Sequence, residues 1–208
     1  MSIHTIMMDA VARQPWRNGG GLTQELLTWP LNAGGAGADI SAGARNWQLR
    51  VSVATIEADG PFSPFPGVQR WFVVMDGAGV QLEFSRSTAT CTPGDAPLAF
   101  DGHEAPWCQR LSGSSRDLNL MLRHGAGRAA MHRVADGALL QTGRRWRGLF
   151  CAGNAVLHTD GSARHELPPG TLAWSDTEPC TEPGAGLAWR CETAAPAWWL
   201  TLDGDTTP

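Results

Sequence analysis

The sequence contains no lysine and no tyrosine. All sixteen basic residues are arginine, while the aromatic complement is ten Trp and six Phe. Acidic residues number 20, so the formal charge is −4, and no basic excess is available for sequence-independent nucleic-acid binding. No apolar run approaches the ~20 residues that a membrane-spanning helix needs; Trp71–Met75 is typical of the longest. Met1-Ser2-Ile3-His4 lacks the basic start and apolar stretch of a secretory signal, so a cytoplasmic protein is expected. The five cysteines (91, 108, 151, 180 and 191) are odd in number and form no C-x-x-C pair, which fits neither a disulfide framework nor a zinc cluster. Reduced thiols are the expectation. What is present is a 42% hydrophobic composition over 208 residues, enough to bury the core of one large domain or two small ones. The arginine bias follows GC-rich codon usage, but it also supplies the side chain suited to a two-pronged grip on carboxylates.

Glycine (25) and proline (14) break the chain into short segments, and period-two alternation is common within them. In residues 47–53, Trp47, Leu49, Val51 and Val53 share one face, with Gln48, Arg50 and Ser52 on the other. In residues 117–123, Leu118, Leu120 and Leu122 oppose Asp117, Asn119, Met121 and Arg123. Further strands are predicted at 69–75, 80–84, 149–152, 155–158, 171–174, 187–191 and 198–202. Such spacing predicts an all-β sandwich or barrel. Residues 33–38, Ala-Gly-Gly-Ala-Gly-Ala, read as a flexible loop.

The halves echo each other. Gly77-Ala-Gly-Val80 leads to Pro93-Gly94 and Leu98, and Gly153-Asn-Ala-Val156 leads over the same interval to Pro169-Gly170 and Trp174. Two similar barrels in tandem are expected, joined near His124-Gly125-Ala126-Gly127. The expected division is residues 1–125, carrying the pocket, and 126–208, with strand exchange between them left open.

This Gly–Pro-Gly frame resembles the cupin barrel (a double-stranded β-helix of the RmlC-like jelly-roll type), whose metal is held by three His and one Glu. Aligning the first motif on Gly77 puts Arg70 at the Glu position and Pro64 and Pro66, or Ser63 and Phe65, at the His positions. Gly94 puts Pro97 at the third His and Asp101 at the motif's Asn. In the second half Trp146, Leu140, Thr142 and Ala173 fall on the ligand positions. Pro, Ala and Leu donate nothing to a cation, so no metal and no cofactor are expected. Arg70 would bring positive charge to the cation's place, which suits an anionic ligand.

Pro15-Trp16-Arg17-Asn18-Gly19-Gly20-Gly21-Leu22-Thr23-Gln24-Glu25 closely resembles the opening signature of the HutD/Ves family. Matches continue in order: Trp47-x-Leu49-Arg50-Val51-Ser52-Val53-Ala54, Gly60-Pro61-Phe62-Ser63-x-Phe65-Pro66-Gly67-x-x-Arg70, Pro97-Leu98-x-Phe100-Asp101-Gly102, and Asp117-x-Asn119-Leu120-Met121-x-Arg123. The resemblance implies a metal-free bicupin with a role in histidine utilisation, binding a pathway compound such as formylglutamate or urocanate and limiting flux. No reaction is secure for the family.

In the matched segments, Asn18 to Gly21 is a turn whose N–H groups would either line a pocket mouth, Gly20 included, or close a tight turn. Trp16 would stack on a ligand or pack as a lid. Thr23 and Glu25 share a strand face, as do Arg50 and Ser52, and in a small barrel that face is the lumen. Arg50, Arg70, Glu25, Asp101 and Asn119 are expected to form one buried network, either ligand-binding or purely structural. In the ligand-binding reading Arg50 and Arg70 grip carboxylates. Ser52, Ser63, Thr23 and Asn119 bond the remaining polar atoms, Glu25 or Asp101 steadies an arginine, and Phe62 and Phe65 give an apolar wall.

The first functional reading is therefore a regulatory protein of amino-acid catabolism that binds a small carboxylate. Its partners would be that ligand, neither nucleic acid nor membrane, with a homodimer left open. One rival is a metal-independent isomerase or epimerase using Glu25 or Asp101 as acid and base, disfavoured because no His lies in a matched motif. The other is an interaction protein with a vestigial pocket and a Trp189, Trp198, Trp199 surface, although those rings are better suited to filling the second core.

Overall fold

A computed structural model of the chain describes residues 2–30, 47–135, 137–141, 145–159, 163–176 and 188–203; the glycine-rich stretch 33–38 lies outside them. Among the described residues the only helical element is a short 3-10 turn, Met8–Ala10. Everything else regular is β-strand, paired antiparallel throughout. The alternating segments all became strands, each within a few residues of its expected bounds: Leu49–Ile56, Val68–Gly77, Val80–Glu83, Ser115–Arg123, Trp146–Cys151, Ala155–Thr159, Thr171–Ser175, Ala188–Thr193 and Ala197–Asp203.

The chain divides into two compact units, Val11–Ala126 and Met1–Ala10 with Gly127–Pro208. The expected cut at 125 assigned the first ten residues to the N-terminal barrel. Instead His4–Met7 pairs with residues 171–174 of the C-terminal unit, with the His4 ring stacked on Trp174 at 5.4 Å. Nothing local in a four-residue strand specifies its partner, so the sequence pattern alone could not place it.

In the N-terminal unit the large sheet runs Gln14–Pro15, Gly21–Trp29, Leu49–Ile56, Ser115–Arg123, Val68–Gly77, Leu98–Asp101. The small sheet runs Gly60–Pro61, Trp107–Arg110, Val80–Glu83, Thr88–Cys91. In the C-terminal unit the orders are His4–Met7, Thr171–Ser175, Trp146–Cys151, Ala197–Asp203, Arg128–Arg133, and Leu139–Gln141, Ala188–Thr193, Ala155–Thr159, Ala163–Leu167. Counting each unit's eight shared strands from Leu49–Ile56 or from Arg128–Arg133, both large sheets read first-eighth-third-sixth and both small sheets second-seventh-fourth-fifth. That is jelly-roll topology, repeated, as the matched Gly–Pro-Gly intervals led one to expect.

Each core lies between its unit's two sheets. In the N-terminal unit Ile56, Phe72 and Val74 meet Val80, Leu82, Cys91 and Cys108. In the C-terminal unit Leu149, Cys151, Ala173 and Trp199 meet Leu140, Leu157, Leu167, Trp189 and Cys191. Trp189 and Trp199 fill this core, Trp198 is buried on the opposite face of its strand, and none of the three forms an exposed surface. Each such side chain removed from water contributes roughly 1.5–3 kcal/mol. No helix among the described residues is long and apolar enough to cross a membrane.

Candidate functional site

Strand Ser115–Arg123 is one of the two central strands of the N-terminal large sheet and sorts its residues by parity. Leu118, Leu120 and Leu122 go to one face, and Asp117, Asn119 and Met121 go to the other, toward the small sheet. Cross-strand pairing extends these inward residues into rows. Thr28, Arg50, Met121, Arg70 and Phe100 lie side by side, as do Glu25, Ser52, Asn119, Phe72 and Leu98. Thr23, Ala54, Asp117 and Val74 form the third row. A polar band thus crosses the inner face of an otherwise apolar sheet.

Two guanidinium groups dominate the band. Arg50 Nε lies 2.9 Å from Glu25 Oε2, and its Nη1 donates to Met121 Sδ at 3.7 Å. Arg70 is 5% exposed, and its guanidinium carbon lies 5.2, 5.5 and 5.0 Å from the ring centres of Phe62, Phe65 and Phe100. Arg70 Nη2 donates to Asn119 Oδ1 at 3.0 Å, while Asn119 Nδ2 donates to Asp117 Oδ1. Arg70 Nε and Nη1 and Asp117 Oδ2 are buried without a hydrogen-bond partner. Orphaned buried polar atoms are costly, about 1–3 kcal/mol each, and cluster where a ligand or water completes the set.

Burial sets the electrostatics. It lowers Arg70 to about 10, with Asp117 pulling the other way and Arg50 adding a little repulsion. It raises Asp117 to about 8, opposed by Arg70 and by the Asn119 hydrogen bond. A cation does not fit here: the group at the aligned Glu position is a guanidinium, which donates hydrogen bonds and cannot ligate. Among the described residues no three His, Cys, Asp or Glu side chains converge.

Of the sequence candidates, Glu25, Arg50, Ser52, Phe62, Arg70 and Asn119 line this inner face. Phe65 joins them through its ring. Trp16 and Thr23 lie at the band's edge, where Trp16 Nε1 donates to Thr23 Oγ1 at 2.7 Å and the indole meets Phe62 edge-on at 6.2 Å. Ser63 is exposed, and Asp101 points away from the lumen. Asp101 pairs with Gln69 on the outer parity, accepts the His103 N–H at 2.7 Å and lies 3.7 Å from His124 Nε2. The network expected around Asp101 is built instead on Asp117, whose shared parity with Asn119 was the available signal. Phe100 was missed for the same reason, standing one residue from Asp101.

The Asn18–Gly21 turn does not offer its N–H groups to a pocket. Gly19 N donates to Trp16 O at 3.0 Å, Gly20 N to the exposed Asn18 side chain at 3.0 Å, and Gly20 O accepts from Glu57 N and Ala58 N. The motif is a clasp that ties the first long strand to the end of the next. In the C-terminal unit, the alignment that put Trp146 in the place of Arg70 is off by one: Arg147 holds it, because Met75 bulges out of register in strand Val68–Gly77.

A shallow groove of about 410 Å³ on the C-terminal unit is lined by Arg164, Glu166 and Glu192. Arg164 and Glu166 already pair at 2.7 Å and are exposed, so the buried band is the stronger candidate.

The family model described as HutD matches residues 8–194. Protein Ves of Escherichia fergusonii is 30% identical over 155 residues, covering 71% of this chain and 75% of that protein. HutD from Pseudomonas fluorescens SBW25, solved in a formate condition, superposes with a TM-score of 0.78 at 24% identity, over 98% of this chain and 99% of that one. A cupin 2 conserved barrel domain protein from Leptotrichia buccalis superposes at 0.51 with 9% identity over 96% of each chain, a likeness of fold alone.

Proposed function

The chain belongs to the HutD family, and on that footing we propose that it binds a small carboxylate in its N-terminal barrel and serves histidine catabolism as a regulator rather than as an enzyme. The observation that carries the reading is Arg70: a buried cation walled by three phenyl rings, with two nitrogens lacking any hydrogen-bond acceptor. A carboxylate supplies the missing acceptors. Arg50 is already matched by Glu25 and flanks the site across Met121, while Asn119 fixes the orientation of Arg70. The link to histidine utilisation is supported by the match to the HutD family over residues 8–194. A cytoplasmic location suits Cys91, Cys108 and Cys151, which are buried free thiols.

The acid–base enzyme reading finds less support. Glu25 is committed to Arg50, and Asp101 faces away from the lumen.

The test is calorimetric titration with formylglutamate, urocanate and formate. Arg70→Ala should weaken binding by roughly 100-fold, the scale expected when one partner of a buried charged pair is removed, while the far-ultraviolet circular dichroism stays unchanged. Unchanged affinity in the variant would defeat the assignment.

A further inference from the structure

We propose that the anion enters this lumen only when Asp117 is protonated, so that proton and carboxylate occupy the site together. The inference rests on the carboxylate reading above and adds its regulation.

Charge balance is the first support. Four charged side chains line the band. Arg50 and Glu25 touch and cancel. Arg70 and Asp117 balance each other at a distance, with the Asn119 amide between them. A carboxylate added to that neutral set would leave one negative charge uncompensated and shielded from water, at a cost of several kcal/mol. A proton on Asp117 removes it.

Hydrogen-bond roles are the second support. Asn119 Nδ2 faces Asp117 Oδ1 and holds that oxygen as an acceptor. Asp117 Oδ2 is buried and unpartnered. One amide N–H is thin support for an ionised carboxylate, which is usually stabilised by two or three donors. A neutral carboxyl fits better: Oδ1 accepts from Asn119, and Oδ2–H becomes a donor whose acceptor is the incoming carboxylate. The proton comes from solvent and rests on Oδ2, and no other bond changes.

The remaining groups facing Asp117 leave the proton to it. Cys91 and Cys108, on the small sheet opposite, have thiols pushed up by burial to about 11 and about 12, and Asp117 adds to both shifts. They stay neutral across the physiological range. Arg70 keeps its charge up to about 10. Burial holds Asp117 near 8, below all three, so it is the first of these groups to lose its proton as pH rises.

Formate is the probe, because it brings a single carboxylate that does not titrate above neutrality. Its affinity should be level up to about pH 8 and then fall about tenfold per pH unit, the slope of a single linked proton. At about pH 9, calorimetry in two buffers of unlike ionisation enthalpy should show close to one proton taken up per ligand bound. Asp117→Asn, which keeps the shape and the neutral charge, should bind at about pH 9 as the parent does at pH 7 and take up no proton. Binding with a flat pH profile and no proton uptake would overturn this inference alone. Failure of formylglutamate, urocanate and formate to bind at any pH would overturn the carboxylate reading and this inference with it. Should Asp117→Asn not fold, carbon-13 titration of the Asp117 carboxyl in the parent protein decides: a midpoint near 4, the ordinary value, overturns the inference, and one above neutrality upholds it.

Discussion

Arg147 and Arg70 hold the same register position in the two jelly rolls. Each lies on the inner face of the third of eight shared strands, Arg70 between Met121 and Phe100, Arg147 between Thr201 and Ser175. Stepping along the pairings puts Trp199 where the other unit has Asn119, and Ala197 where it has Asp117. The C-terminal unit therefore kept the arginine, now 5.2 Å from the Trp189 ring, and exchanged the polar relay beside it for an indole and a methyl group. The two lumens differ in what stands beside the arginine, an Asn–Asp pair in one and Trp199 with Ala197 in the other.

If Trp199 is core, then Trp199→Ala should cost about 3–5 kcal/mol, the usual range for deleting a buried aromatic side chain. Urea denaturation followed by circular dichroism measures it. A loss below about 1 kcal/mol would mean the indole is not packed as described.

The glycines of the Asn18–Gly21 turn should differ sharply. A Cβ on Gly21 would lie 2.3 Å from the Thr55 carbonyl oxygen, backbone that cannot retreat. Gly19 has φ of +70° and open space around it, so an alanine there meets only backbone strain of about 1–2 kcal/mol. Gly21→Ala is expected to destabilise by clearly more than Gly19→Ala in thermal melts of the two variants. Equal melting temperatures would contradict the clasp.

Stability should fall as pH rises, through Asp117. Its folded-state value is raised to about 8, whereas the unfolded chain titrates near 3.9. The folded state then holds the extra proton between those limits, so this contribution is full below about pH 4 and is lost progressively up to about pH 8. Asp117→Asn should flatten that part of the stability profile. Thermal denaturation at intervals from pH 5 to 9, parent against variant, reads the difference, and parallel profiles would show that Asp117 is not the group responsible.

Asp101 should be dispensable for the lumen. It faces outward and holds the turn at His103. Asp101→Ala is expected to leave formylglutamate affinity within about threefold while costing about 1 kcal/mol from the lost hydrogen bond. A loss comparable to that of Arg70→Ala in the same calorimetric assay would return Asp101 to the site.

The strands, the repeat and most of the lumen residues were legible before any coordinates, because side-chain direction along a strand has a period of two and is a local property. Trp47 to Val53 and Asp117 to Arg123 declare their faces without help from the rest of the chain. Tertiary structure decided three things that no local pattern carries. It chose Asp117 over Asp101, since parity says which residues share a face but not which face a second sheet will cover. It moved the counterpart of Arg70 from Trp146 to Arg147, because the bulge at Met75 breaks the count and is visible only in the pairing of two strands. It also sent His4–Met7 to a sheet edge more than 160 residues away along the chain, where the exposed backbone of strand Thr171–Ser175 offered the hydrogen bonds that a short N-terminal segment needs.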